Sequence, residues 1–201
     1  MITYCCQCVM SIMPDCVVTL LIILTQIINY YYPYWPIEDV CIEVNRITKN
    51  HEWKRLFLAT FYHLNIIHLV LNVDSLYTVG RDLENELGGL TFSWIFIFTT
   101  FSSNIILVTF LYILGIKWPI YSQQCVVGSS GVIFSLHTFC CYFWPFCEVE
   151  NVRVHRFSVI LTMLICIHLI FWNSSFLGHI SGILAGGICC LLMLAREHLS
   201  V

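Results

Sequence analysis

Six apolar runs separated by short polar stretches constrain this chain more than any other feature of its sequence. Crossing the hydrocarbon of a bilayer takes about 20 apolar residues at roughly 1.5 Å each, and fewer where interfacial aromatics flank the run. Residues 16–32, 56–79, 90–114, 125–144, 157–172 and 176–195 qualify. Backbone polar groups in hydrocarbon must be satisfied internally, and these runs are too long for barrel strands. The expectation is an all-α membrane protein, a bundle of six transmembrane helices forming one domain over residues 1–201, with a loop at 33–55.

Composition agrees with that solvent. With 59% hydrophobic and 10% charged residues, a water-soluble domain would lack the polar surface to cover itself. A formal net charge of -3 offers no basic field, so a nucleic-acid partner is not expected, whereas the lipid bilayer is.

Pro14 and Asp15 open the first run and Pro33 stops it, with Tyr30, Tyr31, Tyr32, Tyr34 and Trp35 as an aromatic belt. No Lys or Arg precedes this run, so it reads as a retained segment and not as a cleavable signal. Six crossings put both termini on one side. Arg81, Arg153, Arg156 and Arg196 lie on the side of the termini, while Arg46, Lys49, Lys54, Arg55 and Lys117 lie opposite, so charge does not set the orientation.

Most of the twelve cysteines fall within apolar runs, among them Cys16, Cys140, Cys141, Cys166, Cys189 and Cys190, where cysteine acts as a small hydrophobe. The cysteines are therefore expected to be reduced. Cys5, Cys6 and Cys8 read as plain juxtamembrane thiols ahead of acylation, and acylation ahead of metal binding.

Polar residues inside a span are costly, which makes them functional candidates. The second run carries HLNIIHLVLNVD, with His63, Asn65, His68, Asn72 and Asp74. On a continuous helix His68 and Asn72 share a face, while His63 lies about 140° away, so the pair and not the triplet can share a site. Each residue alone could serve as interhelical polar glue; their clustering argues for more. In the sixth run, FLGHISGILAGG, Gly178, Gly182 and Gly186 recur every four residues and carry His179 on a surface that another helix can approach closely. Gly128-Ser129-Ser130-Gly131 opens the fourth run, and its glycines also remove bulk where two backbones meet. A Ser and a His joined in a dry interior make a nucleophile and its base.

In this order the motifs resemble the rhomboid family of intramembrane serine proteases. The likeness covers about residues 53–195: HLNIIHLVLN, GRDLENELG at 80–88, GSSG and GHISGILAG, with wording most like the endoplasmic-reticulum branch. It implies a six-helix rhomboid bundle in which Ser130 is the nucleophile and His179 its base. His68, Asn72 and the backbone N–H of Ser130 would hold the oxyanion. Acyl transfer needs such preset donors, and helix N-terminal N–H groups suit the task. Asp74, about 200° round the helix from Asn72, is not needed as a third member, so the pair is a dyad.

The resemblance also implies architectural roles for His63, Glu84, Gly128, Gly131, Gly182 and Gly186. It makes residues 33–59 a partly embedded loop. The family's Trp-Arg pair appears here as Trp53-Lys54-Arg55, with one residue between. The expected function is endoproteolysis of transmembrane or membrane-proximal segments of other membrane proteins, without metal or cofactor, in the endoplasmic-reticulum membrane. The alternative is a catalytically silent rhomboid-like protein that binds clients in membrane-protein quality control, for which loss of Ser or His would be the signature. A transporter lacks visible inverted repeats here, and a zinc protease lacks the H-E-x-x-H acid.

Overall fold

The computed structural model describes residues 16–150, 152–171 and 174–199. Pro14, Asp15, the thiols of Cys5, Cys6 and Cys8, and Trp172 at the end of the expected fifth span lie outside these residues.

α1 (Val17–Tyr31) begins against a carboxylate of another helix: Glu84 accepts from the N–H groups of Val18 and Thr19 at 2.9 and 2.8 Å and from the Thr19 hydroxyl at 2.8 Å. A helix start has unpaired N–H groups and a partial positive charge, so a buried acid is stable there. The chain then forms two short helices, α2 (Val44–Thr48) and α3 (Arg55–Leu58), the latter continued by a 3₁₀ turn at Ala59–Phe61. α4 (Ile66–Leu87) starts where the Asn65 side chain accepts from the His68 N–H at 2.8 Å. It ends at Gly88, whose φ of +77° suits glycine and lets α5 (Gly89–Lys117) start at once.

α6 (Ser130–Phe143) is the most enclosed helix, burying Val132, Ile133, Phe134, Leu136, Phe139 and Cys140. It leads into an antiparallel hairpin of β1 (Phe146–Val149) and β2 (Val152–His155), registered Phe146 to His155. α7 (Arg156–Ile170) is peripheral and buries only Ile160 and Leu164. α8 (Phe176–Leu199) packs along α6, where a side-chain carbon at Gly182 or Gly186 would run into the Gly131 or Ser135 carbonyl. Around this core the outer faces are apolar. Leu20, Leu21 and Leu24 on α1, and Ile165 and Leu169 on α7, are exposed, as a bilayer-facing surface requires.

Several expectations change. The chain is mostly helical as expected, with one short hairpin of β1 and β2 added between α6 and α7. By length and composition α5 and α8 can each cross a membrane, and a third crossing follows if the bent pair Arg55–Phe61 and Ile66–Leu87 is taken as one span. α1, α6 and α7 are apolar but shorter. The expected continuous helix at 56–79 is broken, with 96° between its two parts, because the Asn65 cap restarts it. The expected fourth span loses its first turn: Val126 pairs with Ile42 by two backbone bonds of 2.8 and 3.1 Å and is therefore extended.

That pairing also overturns the expectation of reduced thiols throughout. Cys41 and Cys125, adjacent to the bridged residues, form a disulfide with Cα atoms 5.2 Å apart. This lies inside the roughly 4.4–6.8 Å window the bond needs. Cys140 and Cys189 remain buried thiols.

The segment around the disulfide is a structured layer and not an open loop. Val40, Cys41, Ile42, Val44 and Ile47 are buried, and so is Arg55. Arg55 donates to the carbonyls of Glu38 and Cys41 at 2.8 and 2.9 Å and pairs with Glu52 at 2.7 Å. The Arg55 guanidinium thereby holds the Glu52 carboxyl below the usual carboxylate range. In Trp53-Lys54-Arg55 it is thus the arginine that organises the layer, while Trp53 is exposed.

Candidate active site

Ser130 is the first residue of α6, so its N–H has no acceptor within the helix. Its hydroxyl lies 2.9 Å from Nε2 of His179, one turn into α8. The two meet because Gly131 and Gly182 let α6 and α8 touch backbone to backbone; a Cβ at Gly131 would come 3.1 Å from the Gly178 carbonyl. Phe134, one turn beyond Ser130, lies against the His179 ring at 4.7 Å with a 32° tilt and restricts it to that position. Among the described residues no carboxylate pairs with His179, whose Nδ1 is buried without a hydrogen-bond partner.

The pair opens on a cavity of about 1280 Å³ between α4, α6, α7 and α8. His68, Asn72, Ser130, Phe134, Ile167 and His179 all line it. Gly128, with φ of +124°, brings the chain so close to His68 that a Cβ there would come within 2.6 Å of the ring. No larger residue fits that approach. Asn72 donates to the His68 carbonyl at 2.7 Å and receives the Ser129 hydroxyl at 3.3 Å, which leaves its second N–H for the cavity. A half-buried hydroxyl beside an imidazole, with His68, Asn72 and a helix N-terminus on the same cavity, can attack a carbonyl and hold the resulting oxyanion.

His63 precedes the restarted helix, and its ring lies 5.0 Å from that of His68, but of the three residues only His68 and Asn72 line the cavity. Ser129 is the residue before α6, yet its side chain makes no capping bond. It is fully buried and lies within 3.4 Å of Gln26 Oε1 and His63 Nε2, tying α1, α4 and the turn at 128–131 together. Asp74 lines the cavity without reaching His179.

Sequence reasoning missed Phe134, although its four-residue spacing from Ser130 places it on the same face. It also missed His137, which meets Ser75 at 3.0 Å where both line the cavity, and His168, whose ring is 5.1 Å from that of His179. Those two were hidden because each lies in an apolar run with no neighbouring motif.

Residues 50–196 match the family model of the Rhomboid domain. The chain is 28% identical over 173 residues to Rhomboid-related protein 4 of Homo sapiens, covering 84% of this chain and 55% of that protein. It is 34% identical over 154 residues to Rhomboid-like protein 14, mitochondrial, of Arabidopsis thaliana, covering 75% of this chain and 46% of that protein. The chain thus spans about half the length of these curated relatives.

Proposed function

The chain belongs to the rhomboid family, and on that premise we propose that it is an intramembrane serine endopeptidase acting on transmembrane or membrane-proximal segments of other membrane proteins. The observation that carries this reading is the 2.9 Å contact of Ser130 Oγ with His179 Nε2 inside the cavity. In the reaction, Ser130 Oγ attacks the substrate carbonyl carbon while its proton passes to His179 Nε2. The carbonyl oxygen becomes an oxyanion, met by His68, Asn72 and the Ser130 N–H. Collapse breaks the C–N bond as His179 returns the proton to the leaving amine. Water, deprotonated by His179, then releases the acyl group from Ser130.

The substrate backbone must leave its helix locally, because helical carbonyls are already hydrogen-bonded. Small or helix-weakening residues near the scissile bond favour this. His63, Glu84, Gly128, Gly131, Gly182 and Gly186 act by holding the helices and not by touching substrate. The six apolar helices are proposed to sit in the bilayer as the family bundle.

We place the protein in the endoplasmic-reticulum membrane. The Cys41–Cys125 bond supports an oxidising compartment at the end of the bundle where the site opens. The mitochondrial designation of the plant relative is the competing location.

The test is reconstitution in liposomes with a rhomboid-cleavable transmembrane substrate. Cleavage by the parent and none by Ser130→Ala is expected. An intact substrate that nevertheless co-purifies with the parent would replace this reading by the silent client-binding one.

A further inference from the structure

We infer that His168 on α7 is a positioning residue for His179, accepting the base's Nδ1–H so that Nε2 is kept bare for the Ser130 proton. This rests on the Ser130–His179 reading above. His168 Nδ1 lies 2.7 Å from the Leu164 carbonyl oxygen. A carbonyl only accepts, so that nitrogen carries the hydrogen, and in the neutral ring Nε2 carries a lone pair. His179 is the mirror case. To accept from the Ser130 hydroxyl its Nε2 must be bare, which puts the ring hydrogen on Nδ1.

The two nitrogens left over are His179 Nδ1, a donor, and His168 Nε2, an acceptor, and among the described residues both are buried without a hydrogen-bond partner. Their rings are 5.1 Å apart at 75°. A small ring rotation or one bridging water joins them, and buried polar groups of opposite need are paired in this way throughout proteins. Phe134 lies against His179 at 4.7 Å, and Phe176 lies against His168 at 5.0 Å, which limits where either ring can turn.

His168 is not part of the cavity wall, so it acts through His179 and not on substrate. When Nε2 takes the proton, the imidazolium donates more strongly from Nδ1, and the His168 lone pair stabilises it. The orienting partner of the base is then a neutral imidazole from a neighbouring helix in place of a carboxylate.

The experiment measures kcat and KM on a transmembrane substrate in liposomes, together with the rate of labelling by a fluorophosphonate, for the parent, His168→Phe and His168→Gln. Phenylalanine keeps a ring but has no acceptor; glutamine puts an amide oxygen near the place of Nε2. His168→Phe is expected to lower kcat and the labelling rate about tenfold or more with KM within about twofold, and His168→Gln to recover most of both. Should His168→Phe fail to fold, His168→Leu takes its place in the same comparison. Parent-like rates in the acceptor-free variant, or equal losses in it and in His168→Gln, would overturn the inference while leaving the dyad intact. A parent that neither cleaves nor labels overturns the dyad and this inference with it.

Discussion

Gly182 of α8 faces the main-chain carbonyl of Gly131 on α6 with no room for even one side-chain carbon between them. Ser130, the proposed nucleophile, precedes Gly131, and His179, the proposed base, lies three residues before Gly182, so the distance between two backbones sets the distance between Ser130 and His179.

Gly182→Val should therefore lower both turnover and stability while leaving the Ser130 and His179 side chains unchanged. Overpacking typically costs about 1–3 kcal/mol, and a backbone has less freedom to yield than a side chain. Thermal unfolding in detergent and cleavage per folded molecule measure the two effects. A variant equal to the parent in both would mean that α8 does not pack through this face.

Ser130 and Ser129 are predicted to differ in kind. Ser130→Ala should abolish cleavage and fluorophosphonate labelling without loss of folded protein. Ser129→Ala should still label, at a cost in stability of about 1–3 kcal/mol, because its buried hydroxyl lies between Gln26, His63 and Asn72. Labelling that survives in Ser130→Ala and disappears in Ser129→Ala would reverse the assignment.

His68→Ala or Asn72→Ala should cut kcat on the order of a hundredfold, the usual effect of removing a fully used oxyanion donor. The Ser130 N–H continues to donate and softens the loss. Because Asn72 also holds the His68 carbonyl, the two losses should be less than additive. The double variant measures this coupling; undiminished kcat in all three variants would remove both residues from the oxyanion site.

Reducing the Cys41–Cys125 bond should loosen the layer that carries Arg55 and the extended segment leading to Gly128. Cross-linking positions 84 residues apart contributes about 4–5 kcal/mol in the chain-entropy account. Reductant should lower the unfolding temperature of the parent and leave Cys41→Ser/Cys125→Ser unmoved. If both thiols of the unfolded, unreduced parent react with maleimide by mass, the bond is absent.

Hydropathy alone located the apolar segments and the bilayer as solvent, because insertion depends on the summed transfer of consecutive residues and needs no tertiary partner. The motifs likewise singled out Ser130, His179 and the glycine stripe as candidates, since the reach of a hydroxyl and the absence of a side chain are local properties. What needed the tertiary structure was every relation set by a cap or a pairing from elsewhere in the chain. The helix holding His68 restarts at Asn65, which lets His63 pack its ring 5.0 Å from that of His68, a contact that an unbroken helical wheel excludes. Cys41 and Cys125 became partners only because Ile42 and Val126 bridge. His168 reached His179 only because α7 seats against Phe134. Sequence spacing measures angles around one continuous helix and says nothing of where that helix stops or what a second one brings across, so side chains far apart in the chain were placed by packing alone.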